Sequence, residues 1–154
     1  MELRKLTAPD YEEMLILYKA LDELHVEARP DYFVSRDDVF PCEHFNASVI
    51  DPECLWIGAF NREQQMVGFV RATLWNESGM VKSVKTVCLD DIFVLPEYRR
   101  NSMGAKLFRA VEEWAKDQGA VRLDLHTWDF NKDAIALYRT MGMTPQRYVF
   151  EKEL

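Results

Sequence analysis

The 154-residue chain carries 26 Asp and Glu against 19 Lys and Arg, a formal charge of −7. That balance argues against a broad cationic face for nucleic acid and leaves room for a small basic substrate or an amine-bearing partner. With 48% hydrophobic and 29% charged residues, the composition is that of a globular chain, and the length fits one domain that buries its own core. No run approaches eighteen apolar residues, so no membrane span is expected. The opening MELRKLTAPD lacks the apolar stretch of a secretory signal. Cys42, Cys54 and Cys88 are dispersed, with no CxxC. They indicate neither a disulfide framework nor a zinc knuckle, and they fit a reducing cytoplasm.

Met1 to Lys5 reads as a short strand. Thr7 or Asp10 then caps a helix with Pro9 near its start, and Met14, Leu15, Leu17, Tyr18, Leu21 and Leu24 recur at helical spacing to about Glu23. Arg29-Pro30-Asp31 is a break, and a second helix is expected from about Arg36 to Val49. Residues 54–60 and 66–75 form two apolar strands joined by a polar turn, Asn61 to Gln65. A further turn falls on 76–79. Residues 84–95 make a longer strand with Asp90 and Asp91 near its middle. A helix follows from about Ser102 to Gln118, ended by Gly119. Then come a strand over 121–127, a helix from Lys132 to Met141 and a last strand over 146–152. The order β-α-α-β-β-β-α-β-α-β predicts a mixed α/β (α+β) sheet. Tight turns make the early pairs antiparallel, and the helical crossover makes a later pair parallel.

The segment DDIFVLPEYRRNSMGAKL, Asp90 to Leu107, sends a strand through a basic, small-residue turn straight into a helix. The first helical amides lack internal acceptors and face whatever anion occupies the turn, with the helix dipole assisting. Gly104 permits close backbone approach, and Arg99 and Arg100 add cationic donors. This pattern is neither GxxxxGK[ST] nor GxGxxG. The bland alternative is a capped helix beside a solvated Arg pair.

Arg99-Arg100-Asn101-Ser102-Met103-Gly104 resembles the R/Q-x-x-G-x-G/A signature of the Gcn5-related N-acetyltransferase (GNAT) superfamily. The later N-x-x-A-x-x-L-Y-x-x-x-G-M, Asn131 to Met143, resembles the second motif of that family. Ser102 stands where the family usually has glycine, a departure compatible with a negative φ. The resemblance implies a mostly antiparallel twisted sheet of six to seven strands, helices on both faces, and a splay between the fourth and fifth strands. It implies acetyl-coenzyme A as cosubstrate. The pyrophosphate would meet the amides from Arg100 through Asn101, Ser102, Met103 and Gly104 to Ala105. The pantetheine arm would add to the backbone of Ile92, Phe93, Val94 and Leu95. Arg99 or Arg100 would reach the outer phosphate, and Asn131 would contact the pantetheine or orient its loop.

The reaction so implied is acyl transfer from a thioester to a small amine. Attack needs a neutral amine, and the departing thiolate needs a proton. Tyr138 is the expected acid; the alternative is an ordinary core tyrosine. Asp90 is the expected carboxylate for the amine's proton, and strand alternation sends Asp91 to the opposite face. Asn131 is also the expected side-chain cap of its helix. His126 reads as a satisfied strand-end residue, the alternative being a base near physiological pH, and the dispersed histidines and cysteines give no metal constellation. Tyr18 to Phe33, with Asp22, Glu23, Glu27 and Asp31 among aromatics, resembles an acceptor wall suited to a cationic amine. A protein N-terminus or lysine as acceptor, and a non-enzymatic module on the same scaffold, are the competing readings. The last strand and any open sheet edge make a homodimer reasonable.

Overall fold

In the computed structural model, which describes residues 1–76 and 82–154, five strands form one sheet: β1 (Glu2–Lys5), β2 (Cys54–Phe60), β3 (Met66–Asn76), β4 (Lys85–Val94) and β5 (Arg122–Leu125). Their spatial order is their chain order. Neighbours are antiparallel except β4 and β5, which are parallel. Four helices, α1 (Tyr11–Ala28), α2 (Cys42–Ile50), α3 (Met103–Asp117) and α4 (Lys132–Thr140), cover both faces. The mixed architecture is the expected one.

The two faces carry separate cores. Leu107, Phe108, Val111 and Ala115 of α3, with Tyr138 of α4, pack on Val70, Ala72, Val87 and Leu89. Met14 and Leu17 of α1, with Phe45 of α2, pack on Trp56, Phe69 and Phe93. The start of α1 is tied to β1 through Asp10, which accepts from both terminal Arg4 nitrogens and from the Thr7 amide and hydroxyl.

Three expectations need correction. First, α2 begins at Cys42, not near Arg36. Pro41 stands just before it, and a residue preceding proline is pushed out of the helical region, so Phe40 cannot continue a helix. Second, the sheet has five strands rather than six to seven: residues 146–152 form no ladder, and Tyr148, Val149 and Phe150 are exposed. Third, α1 runs past Glu23 to Ala28, stopping where Pro30 cannot donate to it. The turn expected at 76–79 lies largely outside the described residues. No described helix is long and apolar enough to cross a membrane.

Candidate active site

The site is organised by one extra residue in β4. Opposite Arg71 of β3 stands Asp91, but opposite Ala72 stands Leu89, so Asp90 is bulged out of the ladder. A bulge leaves its residue unpaired and bends the strand. Pairing of β4 with β5 covers Thr86 to Leu89 and ends at Leu125. From Asp90 to Val94 the strand has β3 on one side and, among the described residues, no strand on the other. The expected splay between the fourth and fifth strands is therefore present, and the bulge sits at its apex.

The bulge also shifts which residues share a face. Val87 and Leu89 point to the α3 side before it, and Ile92 and Val94 do so after it. Asp90 and Asp91 consequently fall on the same face, toward α1, not on opposite faces as simple alternation predicts. The Thr73 hydroxyl donates to Asp90 at 2.7 Å, and Arg71 Nε donates to Asp91 at 2.8 Å; Arg71 and Thr73 are two residues apart on β3. Burial is the main reason that Asp90 is held above the usual carboxylate range, with the neighbouring Asp91 charge adding to it and Thr73 and Arg71 opposing.

Asp91 is fully engaged. Besides Arg71, the Tyr18 hydroxyl of α1 donates to it at 3.2 Å. The Arg71 guanidinium lies over the rings of Phe40 and Trp56, 5.3 and 5.7 Å from their centroids. Burial, and then the Asp91 charge, push the Tyr18 phenol well above its ordinary value. Arg71 is the residue at this site that sequence reasoning passed over; a lone arginine inside the apolar run MVGFVRATLW was its available signal. The Cys88 thiol lies between Asp90 and Asp124. Burial first, then both carboxylates, push it up to about 12, so it is a neutral hydrogen-bonding thiol and not a nucleophile at neutral pH.

On the α3 side, Tyr138 is 9% exposed and packs against Phe108, with ring centroids 6.4 Å apart. Burial and the charge of Asp91 push its phenol up to about 12. Among the described residues its hydroxyl makes no hydrogen bond within the chain, and it is not sealed from water. A phenol that is core-packed at its ring and unpartnered at its oxygen is suited to donate to something outside the chain.

The turn before α3 has the form of an anion seat. Arg100 and Ser102 both adopt positive φ, 63° and 57°. Alternating left-handed residues turn successive N–H groups to one side, and the first internal bond of α3 runs from Lys106 to Ser102. The amides of Met103, Gly104 and Ala105 precede it and remain donors. The negative φ that would seat a serine here without strain is thus not adopted: Ser102 holds the left-handed conformation that glycine takes freely. Its hydroxyl donates to the Asn101 carbonyl. Gly104 contributes differently from expectation too. It lies within α3, and a Cβ there would meet Leu137 Cδ2 of α4 at 3.0 Å. Its bareness lets α4, and with it Tyr138, approach α3.

Arg99 folds back, its Nε donating to the Val94 carbonyl at 2.8 Å and its guanidinium lying over Phe93. The Leu95 amide donates to Val67 of β3. Alternation then turns the backbone of Phe93 toward β3 and those of Ile92 and Val94 toward the gap. Asn131 precedes α4 but makes no side-chain cap bond, contrary to expectation. It lines, with Leu21, His25, Arg99 and Phe130, a cavity of about 370 Å³ beside the gap. His25 Nδ1 lies 2.8 Å from the Leu21 carbonyl. A carbonyl can only accept, so that nitrogen carries a proton. Around this cavity His25, Phe33, Tyr32, Trp128 and Phe130 pack edge-on or stacked. Of the expected acidic wall, Asp31 is instead bound to Arg29. His126 is exposed beside Arg147.

Over residues 16–143 the sequence matches the Acetyltransferase (GNAT) family. The chain belongs to that family. The thialysine N-epsilon-acetyltransferase of Sus scrofa is 41% identical over 58 residues, which are 38% of this chain and 34% of that protein. The match thus spans about a third of that relative's length. A mutant of the BH1408 protein from Bacillus halodurans is 26% identical, with a TM-score of 0.94 over 100% of this chain and 99% of that one. AAC(6')-Iy in complex with the bisubstrate analog CoA-S-monomethyl-acetylneamine has a TM-score of 0.76 at 20% identity, over 99% of this chain and 97% of that chain. At that identity the likeness is one of fold.

Proposed function

We propose that this GNAT chain, acting as a single domain over residues 1–154, transfers an acetyl group from acetyl-coenzyme A to the amine of a small, cationic acceptor. The carrying observation is the bulge at Asp90. It opens one side of β4 between a carboxylate that forms no ion pair among the described residues and a phenol whose hydroxyl makes no hydrogen bond there. Membership of the family and the amine-acetylating activity in the name of the Sus scrofa relative support this reading.

In it, the amides from Arg100 to Ala105 hold the pyrophosphate, and Arg100 offers its charge to the outer phosphate. Ile92 and Val94 present backbone groups to the pantetheine arm, with Phe93 supporting them from the β3 side. Arg99 and Asn131 border its path. The bulged strand leaves an unpaired backbone amide near Asp90 that can stabilise the developing oxyanion. The acceptor enters from the α1 face. Asp90 draws its ammonium and takes a proton, directly or through water, so that a lone pair is free to attack the thioester carbonyl. The C–N bond forms, the C–S bond breaks, and Tyr138 gives its proton to the leaving sulfur. Asp91, held by Arg71 and Tyr18, is occupied within that wall and helps to fix it in place.

An assay of free thiol released from acetyl-coenzyme A across a panel of polyamines, amino acids, aminoglycosides and lysine analogues tests the reading. Release with at least one small amine is expected. Absence of both turnover and calorimetric binding of the cofactor overturns it.

A further inference from the structure

The strand beside Asp90 supplies it with a two-step hydrogen-bond relay. Asp90 Oδ2 accepts from the Thr73 hydroxyl at 2.7 Å, and Thr73 Oγ1 accepts from Trp75 Nε1 at 3.1 Å. Thr73 and Trp75 are two residues apart on β3, so their side chains share the face on which Asp90 lies. The direction of the relay is fixed by chemistry. An indole N–H only donates, an ionised carboxylate only accepts, and a threonine hydroxyl has one proton to give. The donors therefore run one way, from Trp75 to Thr73 to Asp90. Accepting from the indole polarises the hydroxyl and strengthens the bond that it donates.

The neighbours of Thr73 compete weakly for that proton. By register Cys54 of β2 and Cys88 of β4 flank it, and thiols are weak donors and weak acceptors. Trp75 is 58% exposed, so its contribution is not that of a core residue. The other titratable groups around Asp90 are Arg71 from β3, Asp91 and Cys88 from β4, Cys54 from β2 and Tyr18 from α1. Arg71 is already paired with Asp91. Among the influences that favour the ionised form of Asp90 against burial, the Thr73 bond is the largest and the charge of Arg71 follows.

In the function proposed above, on which this inference rests, Asp90 draws an ammonium and then takes its proton. An oxygen that already accepts from Thr73 has less to offer that proton. We propose that Thr73 and Trp75 are positioning residues for the proton transfer: acting through Oδ2, they hold the Asp90 carboxylate in place and leave Oδ1 to meet the acceptor amine.

The pH profile of kcat/KM with an accepted small amine tests this in the parent, Thr73→Val, Trp75→Phe and Thr73→Ser. Losing the donor makes Asp90 harder to ionise, so the acid limb should move to higher pH. A shift of about one unit is expected in Thr73→Val, and a smaller shift of the same sign in Trp75→Phe. Thr73→Ser keeps the hydroxyl and should return the limb to within a few tenths of a unit of the parent. Melting temperatures are measured alongside, because a packing role alone lowers these without moving the limb. A parent that releases no thiol with any amine overturns the proposed function and this inference with it. An active parent whose limb stays in place in Thr73→Val, or in Trp75→Phe, overturns this inference alone. So does a Thr73→Ser limb displaced as far as that of Thr73→Val, because the hydroxyl is then not the group that acts.

Discussion

The two sides of β4 at the bulge are finished to different degrees. Toward α1, Asp91, Arg71 and Tyr18 satisfy one another, and Phe40 and Trp56 enclose the guanidinium. Toward α3, the Tyr138 hydroxyl and the first amides of α3 have no partner in the chain. A polar group that is already paired can position a neighbour. A group without a partner in the chain is left free to bond to a ligand. The contrast separates scaffold from working groups, and each substitution below acts on one side of it.

The largest effect is expected on the unfinished side. Tyr138→Phe keeps the ring against Phe108 and removes only the donor. We expect kcat to fall ten- to a thousandfold, about 1.4 to 4 kcal/mol in barrier, with melting temperature and cofactor affinity nearly unchanged. Full turnover in this variant would return Tyr138 to the core as a packing residue.

On the finished side the cost should appear in stability. Arg71→Leu leaves the Asp91 carboxylate half-buried with only Tyr18 to face it. A loss of about 2 to 4 kcal/mol in denaturant unfolding is expected, since breaking a sequestered pair strands the remaining charge. Adding Asp91→Asn to it should recover at least half of the loss. If the double variant is no more stable than the single one, ring packing by Arg71 is its main contribution.

Asp90 lies between the two regimes, and its raised pKa fixes the sign of its pH dependence. Ionisation is harder in the folded chain than in the unfolded one. The fold is therefore favoured below the ordinary carboxylate range and loses that advantage as pH rises through the raised value. Asp90→Asn should melt a few degrees higher than the parent at pH 7, and the gap should close in acid. Its kcat/KM should drop most near neutral pH and least at alkaline pH, where the acceptor amine is already neutral. A deficit independent of pH would assign Asp90 to shape rather than to proton transfer.

The smallest effect belongs to the anion turn. Ser102→Gly relieves a left-handed φ, and a gain of roughly 1 kcal/mol in unfolding free energy is expected, with cofactor affinity at least retained. No gain would mean that the hydroxyl contact to Asn101 offsets the strain.

Much of this was legible beforehand because it depends on short-range order. Strand and helix periods placed β2, β3, β4, α3 and α4 within a few residues. The resemblance of Arg99 to Gly104 and of Asn131 to Met143 to the two family motifs marked the turn and Tyr138. The misjudged features depend on longer range. Alternation alone assigned Asp90 and Asp91 to opposite faces, since nothing in DDIFVL signals that one residue leaves the ladder. The strand-like pattern of 146–152 was visible, but a strand exists only where an edge receives it, and this chain keeps none beside its own tail.

The sequence by itself determined the order of elements from β1 to α4 and the strand–turn–helix, because propensity, capping and periodicity act within a turn or two of the chain. Only the tertiary structure decided that β4 parts from β5 at Asp90 and that Arg71 occupies Asp91. It alone decided that Gly104 makes room for Leu137 and that Tyr138 keeps a hydroxyl without a partner. Each of these depends on which distant backbone lies alongside, and register and burial are settled only when the sheet and both helical layers close together.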